Sequence, residues 1–519
     1  MTAKPTQPAT PTMKLALLPL ALAVALWTAL NRSAASSQQI PRRHFWSANG
    51  QIAEDEIAKI VAASEPVILT SSPAINWPAL ELWSPKLLAN RLTNLPPVDE
   101  SESSTFEWSD RSRQMGSALG LHARRLHARV NVSSHDFFLG PRVDPSSSSS
   151  ASTTFRQLHG RLSDYEELSP LSEDAQPRSW LYGRREDGRR PVDDATLWAS
   201  EPDTVSHTHY DAATNLYVQV HGVKRWELWP PAQWRDMQLH PHAHPSHRTA
   251  AEGLEAARYC DMRAHTTPSS LSLHTHTHLA LDSYASQASL IGIIHTMRDV
   301  LISHTAGRSQ RDFDAGYASA DTSATRPPAP LLVGEISPGD LLFVPAFHFH
   351  RVTSLTFSTA LSALTPSEAA TRFDRACRQG LPSSLTDRHA PQDARAASAQ
   401  RYFSALLRAL LPPAMAHAYV ADALVHARYS PLGTALRCND AFPTCDEHEQ
   451  GEQRATQFGA ARPEEQAIAV SVADVIRGGG KSSMALDGEG HIVLQDYIEH
   501  VAGYAVGMQA LCSFARACL

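Results

Sequence analysis

Residues 206–231 read Ser206-His207-Thr208-His209-Tyr210-Asp211-Ala-Ala-Thr-Asn215-Leu-Tyr-Val-Gln219-Val-His-Gly222-Val-Lys224-Arg-Trp-Glu-Leu-Trp-Pro230-Pro231. His209 and Asp211 are two apart, and on a β-strand that spacing sends both side chains to one face and Tyr210 to the other. A neutral imidazole and a carboxylate placed in this way can reach one metal ion together.

A second stretch completes the set. Ile336-Ser337-Pro338-Gly339-Asp340-Leu-Leu-Phe-Val-Pro345-Ala-Phe-His348-Phe349-His350 reads as a Pro-Gly-Asp turn feeding an apolar strand that carries histidines. It supplies a third ligand, His350. Two histidines and one carboxylate on one face of a metal leave its other positions open, the ligand pattern of non-haem Fe(II) oxygenases.

Together the two stretches resemble the JmjC-domain (cupin-like) branch of the Fe(II)/2-oxoglutarate-dependent oxygenases. That pattern of Thr/Ser, His-x-Asp, Asn, Gln, Gly-x-Lys and Pro-Pro falls on Ser206, His209, Asp211, Asn215, Gln219, Gly222, Lys224 and Pro230-Pro231. Pro-Gly-Asp, an apolar run, Pro, aromatics and a distal histidine fall on residues 338 to 350. Glu65-Pro-Val-Ile-Leu, Trp77-Pro-Ala-Leu, Trp83, Leu197-Trp198 and His244-Pro-Ser-His247-Arg248 also fit. The resemblance covers roughly residues 45 to 370.

The resemblance implies a mainly β fold with helices: a double-stranded β-helix (jelly-roll, cupin) with flanking N-terminal helices and a C-terminal helical region. It also implies Fe(II) held by His209, Asp211 and His350, and 2-oxoglutarate as co-substrate, its far carboxylate paired with Lys224. Ser206 would add a hydroxyl hydrogen bond there, Asn215 would orient the co-substrate or a metal ligand, and Tyr182, on a strand over residues 178 to 182, would offer its hydroxyl to the co-substrate; the plain alternative for Tyr182 is a core aromatic. Lys224 would sit on the strand after the one carrying Asp211; its plain alternative is a solvent-facing lysine beside Arg225. The implied reaction consumes dioxygen and 2-oxoglutarate, releases succinate and carbon dioxide, and hydroxylates a C–H bond. A protein side chain is the expected substrate. The alternatives are a lysine demethylase of the same family, a non-catalytic JmjC-like binding protein, and a metal-dependent cupin that does not use 2-oxoglutarate. Two details depart from the pattern or leave it open. Ser362 stands where relatives often carry Asn, and His348 and His350 would point the same way on one strand, with the count from Pro338-Gly339-Asp340 favouring His350.

Charge excludes little, but a net charge of −7 leaves no basic footprint of the kind nucleic-acid binders carry. The chain of 519 residues divides into three parts. Residues 1–35 read as a signal peptide or signal anchor, because an uncharged apolar run over 15–30 follows Lys14 and precedes small residues. Residues 42–370 form the catalytic domain, interrupted by a Ser/Thr/His-rich insertion over 262–330 that is expected to be partly disordered. Residues 371–519 form a helical region. Entry into the secretory pathway, in the endoplasmic reticulum or Golgi lumen or outside the cell, would expose six cysteines to an oxidising compartment. It would also make Asn131-Val-Ser133 a usable glycosylation sequon.

Local signals predict a helix over Ala53 to Ala63, a strand over Pro66 to Thr70, and a second helix after Trp83 with Ser84 as cap and Pro85 at its first position. Another strand is expected over Thr356 to Leu364. Tyr402, Phe403, Leu406, Leu407, Leu410 and Leu411 recur at helical spacing before Pro412-Pro413, as do Leu494, Tyr497, Ile498, Val501 and Tyr504. Such faces serve either as core or as a homodimer surface. The histidine clusters at 240–247 and 274–278 read as surface segments rather than metal sites, and Gly478-Gly-Gly480-Lys481-Ser482 lacks phosphate-loop spacing.

Overall fold

A computed structural model describes residues 37–44, 54–101, 104–106, 128–140, 154–175, 195–234, 329–412, 460–478 and 486–507, apart from isolated positions, with a few single residues between these segments. The N-terminal apolar segment, the low-complexity serines, Tyr182 and its expected strand, both histidine clusters and the insertion up to residue 328 lie outside the described residues.

Two sheets face each other. One has six strands in the order β1 (Gln38–Gln39), β12 (Leu332–Ile336), β11 (Lys224–Trp229), β14 (Phe349–Ser354), β9 (Val205–Tyr210) and β5 (Thr105–Phe106). The other has nine, β2 (Arg42–His44), β3 (Val67–Thr70), β13 (Leu341–Val344), β10 (Ala213–His221), β15 (Ser358–Pro366), β8 (Thr196–Ser200), β7 (Phe155–Arg161), β4 (Val98–Ser101) and β6 (Ala128–Val130). Consecutive strands β9, β10 and β11 alternate between the sheets, which is how a jelly roll closes.

Strand alternation sorts the side chains into two apolar layers. On β13 all four residues are buried. Leu342 and Val344 enter the space between the sheets with Ile68, Tyr217, Trp226, Leu228, Val352 and Ala360. Leu341 and Phe343 turn to the other face and pack with Trp77, Trp83, Leu88, Phe137 and Phe138. A strand buried on both faces reads as a continuous apolar run, which explains Leu-Leu-Phe-Val.

The N-terminal helices cover that outer layer. They are α1 (Glu54–Ala63), α2 (Ala79–Leu82), α3 (Pro85–Arg91) and α4 (Ser134–Leu139). Pro85 does open α3, but the Ser84 side chain makes no capping hydrogen bond. The strand expected from Thr356 begins two residues later, at Ser358. Thr356 is occupied in the turn, where its Oγ1 accepts the Val223 N–H at 2.9 Å.

The C-terminal region adds α5 (Glu368–Arg378), α6 (Ser383–Thr386), α7 (Gln392–Leu410), α8 (Pro463–Arg477) and α9 (Gly488–Val506). The apolar faces read from the sequence pack within the chain: Tyr402, Phe403, Leu406, Leu410, Leu494, Tyr497, Ile498 and Val501 share one cluster with Tyr210, Phe347 and Phe349 of the barrel. The Tyr402 and Tyr497 hydroxyls bond at 2.7 Å. Gly478 ends α8 in the left-handed conformation, φ 83°, as helix C-caps commonly do. Cys377, on α5, is disulfide-bonded, and its partner lies outside the described residues. Among the described residues no helix is long and apolar enough to cross a membrane.

Candidate metal centre

β9 and β14 are antiparallel neighbours, and His209 stands directly opposite His350. Their ring centroids are 4.1 Å apart. Asp211 follows the last residue of β9, and one ligand atom from each of His209, Asp211 and His350 lies within 4.8 Å of the others. His350 Nε2 is 3.6 Å from Asp211 Oδ2.

Each histidine is oriented in the same manner. His209 Nδ1 donates to the His207 carbonyl at 2.7 Å, and His350 Nδ1 donates to the His348 carbonyl at 3.0 Å. A carbonyl only accepts, so the proton sits on Nδ1 and Nε2 keeps its lone pair for a metal. Asn215 Nδ2 donates to Asp211 Oδ2 at 3.4 Å, and Trp226 stacks on His350 with centroids 5.5 Å apart. On the opposite face of β9, Tyr210 packs on Phe347 and Phe349, and its hydroxyl approaches Asp496 Oδ2 of α9 at 3.5 Å.

His348 does not share the strand geometry of His350. β14 begins at Phe349, and His348 belongs to the preceding turn, next to Phe347 with its φ of 62°. Burial pushes the His348 pKa down to about 4, so this imidazole is neutral.

Ser206 reaches the site through a bulge. In an even pleat, three positions from His209 means the opposite face. Here Val352 pairs with Ser206 while His350 pairs with His209, so three steps on β9 match two on β14. The extra residue turns Ser206 to the face of His209.

Lys224 is on β11, two strands beyond Asp211 rather than on the next, because β10 intervenes in the other sheet. It is not solvent-facing: Lys224 is 4% exposed, whereas Arg225 points outward. The turn that delivers it requires Gly222, whose φ is 71° and whose added Cβ would lie 2.0 Å from the Phe357 carbonyl oxygen. Lys224 Nζ donates to Ser200 Oγ at 3.2 Å, and among the described residues no carboxylate forms an ion pair with it. Burial lowers its pKa to about 7.

A family model described as a cupin-like domain matches residues 53–366. The chain belongs to the cupin-like domain family. None of the curated proteins compared with it matches.

The interior of this cupin-like barrel suits the groups that the ligand pattern implies. Two imidazoles with oriented Nε2 atoms and one carboxylate form a donor set for a divalent metal with open positions. Among the described residues Asn215 Oδ1, Tyr217 Oη and Trp226 Nε1 are buried without a hydrogen-bond partner, and with Lys224 they form a set of polar atoms that a small polar ligand would satisfy. Ser362 is committed elsewhere: its Oγ accepts the Trp198 Nε1 hydrogen at 2.9 Å, and Trp198 in turn stacks on His159 with centroids 5.1 Å apart.

Tyr217, Trp226 and Ser200 are not among the residues that the sequence motifs single out. The first two carried a usable signal, since Asn215 and Tyr217 are two apart on one strand, as are Lys224 and Trp226. Ser200 carried none, because its place beside Lys224 comes from packing between β8 and β11.

Proposed function

We propose that the chain is an Fe(II)- and 2-oxoglutarate-dependent dioxygenase that hydroxylates a protein side chain. The observation that carries this reading is the pairing, inside one barrel, of an open His-Asp-His ligand set with a buried lysine that has no carboxylate partner among the described residues. A lysine ammonium removed from water is costly unless an anion meets it. A 2-oxo dicarboxylic acid offers one end to a metal and the other to Lys224.

His209, Asp211 and His350 would hold the iron, which with bound 2-oxoglutarate and dioxygen supplies the oxidising chemistry. The chain's own residues do the positioning. The His207 and His348 carbonyls keep both imidazoles in the ligating tautomer, and Asn215 restrains the Asp211 carboxylate. Lys224 anchors the far carboxylate as a point charge, with Ser206 adding a hydroxyl on the same face as the metal ligands. The apolar wall of Ile68, Leu342, Val352 and Ala360 excludes water from the space between them.

The substrate class follows the resemblance. A secretory location is part of the same proposal, supported by the apolar N-terminal run, the disulfide at Cys377 and an exposed Asn131 in the sequon. There a nuclear histone substrate is not met, which favours side-chain hydroxylation over histone demethylation.

The test is anaerobic titration of the Fe(II)-loaded chain with 2-oxoglutarate, following metal-to-ligand charge-transfer absorption. Absorption in wild type and its loss in His209→Ala is the expected result. Iron binding without absorption would favour a cupin that does not use 2-oxoglutarate, and absence of iron binding would favour a non-catalytic protein.

A further inference from the structure

Tyr217 occupies the barrel interior on β10 and is 4% exposed. Its ring meets the edge of Trp226 at a centroid distance of 4.8 Å, and Lys224 Nζ lies 5.6 Å from its centroid. Trp226 stacks on His350. The series Lys224, Tyr217, Trp226, His350 therefore runs without a gap from the anchoring lysine to the metal ligands. A phenylalanine would fill the same apolar surroundings of Ile68, Leu342 and Ala360 equally well. The hydroxyl needs a separate reason, because its oxygen is buried with no hydrogen-bond partner among the described residues. An unmet buried hydroxyl is destabilising, and among the described residues the neighbouring Lys224 ammonium hydrogen-bonds Ser200 alone. One anion placed between them would satisfy both.

We propose that Tyr217 donates its hydroxyl hydrogen to the carboxylate that Lys224 binds, making the pocket selective for 2-oxo acids that carry a second carboxylate. This rests on the reading of the site as a 2-oxoglutarate pocket and adds a residue to it. Burial drives the phenol pKa upward, so the hydroxyl stays protonated and is a donor at neutral pH. The donor reaches a charged acceptor in a water-poor interior, where such bonds are stronger than between neutral groups.

The experiment is anaerobic calorimetric titration of the Fe(II)-loaded full chain, wild type and Tyr217→Phe, with 2-oxoglutarate and with 2-oxobutanoate, which lacks the far carboxylate. The variant is expected to bind 2-oxoglutarate about tenfold more weakly and 2-oxobutanoate unchanged. Equal 2-oxoglutarate affinity in both proteins overturns the role of Tyr217 while leaving the co-substrate reading intact. Equal weakening of both ligands also overturns it, since the loss then comes from the metal end. Failure of wild type to bind 2-oxoglutarate removes the underlying reading and this inference with it. Thermal denaturation without ligand gives a second readout: Tyr217→Phe should be at least as stable as wild type, and a fall in stability would assign the hydroxyl a structural partner instead.

Discussion

The backbone N–H of Phe347 donates to the Asp211 carbonyl at 2.7 Å. This bond ties the end of the His-x-Asp strand to the turn that leads into His350. Phe347 adopts φ 62° to make it, a conformation uncommon for a bulky residue and costing about 1–3 kcal/mol. Phe347→Gly keeps the N–H and accepts the positive φ, so its Fe(II) affinity should stay near wild type even as lost packing on Tyr210 lowers stability. Phe347→Pro removes the donor and cannot adopt the angle. Its Fe(II) affinity should fall more than roughly tenfold, in line with the loss of outer contacts to metal ligands. Equal affinities for the two variants would show that the bond does not matter to the centre.

Asn215 donates to Asp211 Oδ2, an oxygen of the candidate metal-ligand set. Replacing it by Leu keeps the size and removes the amide donor, so Fe(II) affinity should fall about 10–100-fold. Equilibrium dialysis against Fe(II) under argon measures this directly. An unchanged affinity would show that this hydrogen bond does not matter to the metal centre.

If Lys224 anchors 2-oxoglutarate as proposed, binding should depend on pH in a defined direction. Burial lowers its pKa from 10.5 to about 7, and only the ammonium pairs with a carboxylate. Affinity for 2-oxoglutarate should therefore be highest below pH 7 and decline as pH rises above it, with proton uptake on binding in the upper range. Lys224→Met should bind weakly at every pH. Without ligand the sign reverses for folding: between about 7 and 10.5 the unfolded chain holds the extra proton, so stability gains from rising pH across that window. Calorimetry in buffers of different ionisation enthalpy distinguishes proton uptake from its absence.

Glu465 carries the C-terminal helices. Its carboxylate is buried and takes two hydrogen bonds from Arg401, at 2.9 and 3.0 Å, with others from Ser398 Oγ and the Arg462 N–H. Burial pushes its pKa up, but the Arg401, Arg462 and Ser398 bonds outweigh that and leave it lowered. Its contribution is present above the ordinary glutamate range and is lost as pH falls through the lowered value. Glu465→Leu leaves Arg401 without its acceptor and should cost about 3–5 kcal/mol, read by chemical denaturation. A loss below about 1 kcal/mol would place this pair with ordinary surface ion pairs.

Much of this was legible because it is local. The two-residue spacing of His209 and Asp211 at the end of β9, the Pro-Gly-Asp turn leading directly into β13, and the helical spacing of Tyr402, Phe403, Leu406 and Leu410 within α7 each span a few consecutive residues. Backbone geometry alone converts such spacing into a shared face. Arg401 and Glu465 were not legible, because they are joined across two helices separated by residues that carry no pairing signal. The Ser84 cap misled for the opposite reason: the residue type was right, but its side chain makes no bond there.

The sequence by itself determined which chemistry is available: two imidazoles, a carboxylate and a lysine on strands of known period, in a cupin-like order. Tertiary structure decided which of these groups meet. Pairing between β9 and β14 places His350 opposite His209 and leaves His348 in the turn. The bulge in that ladder brings Ser206 to the inner face, and closure of the two sheets buries Lys224 beside Tyr217 and Ser200. The reason is physical. Spacing along a strand sets a face only relative to its own neighbours, whereas register between strands far apart in the chain is set by the packing of the whole barrel.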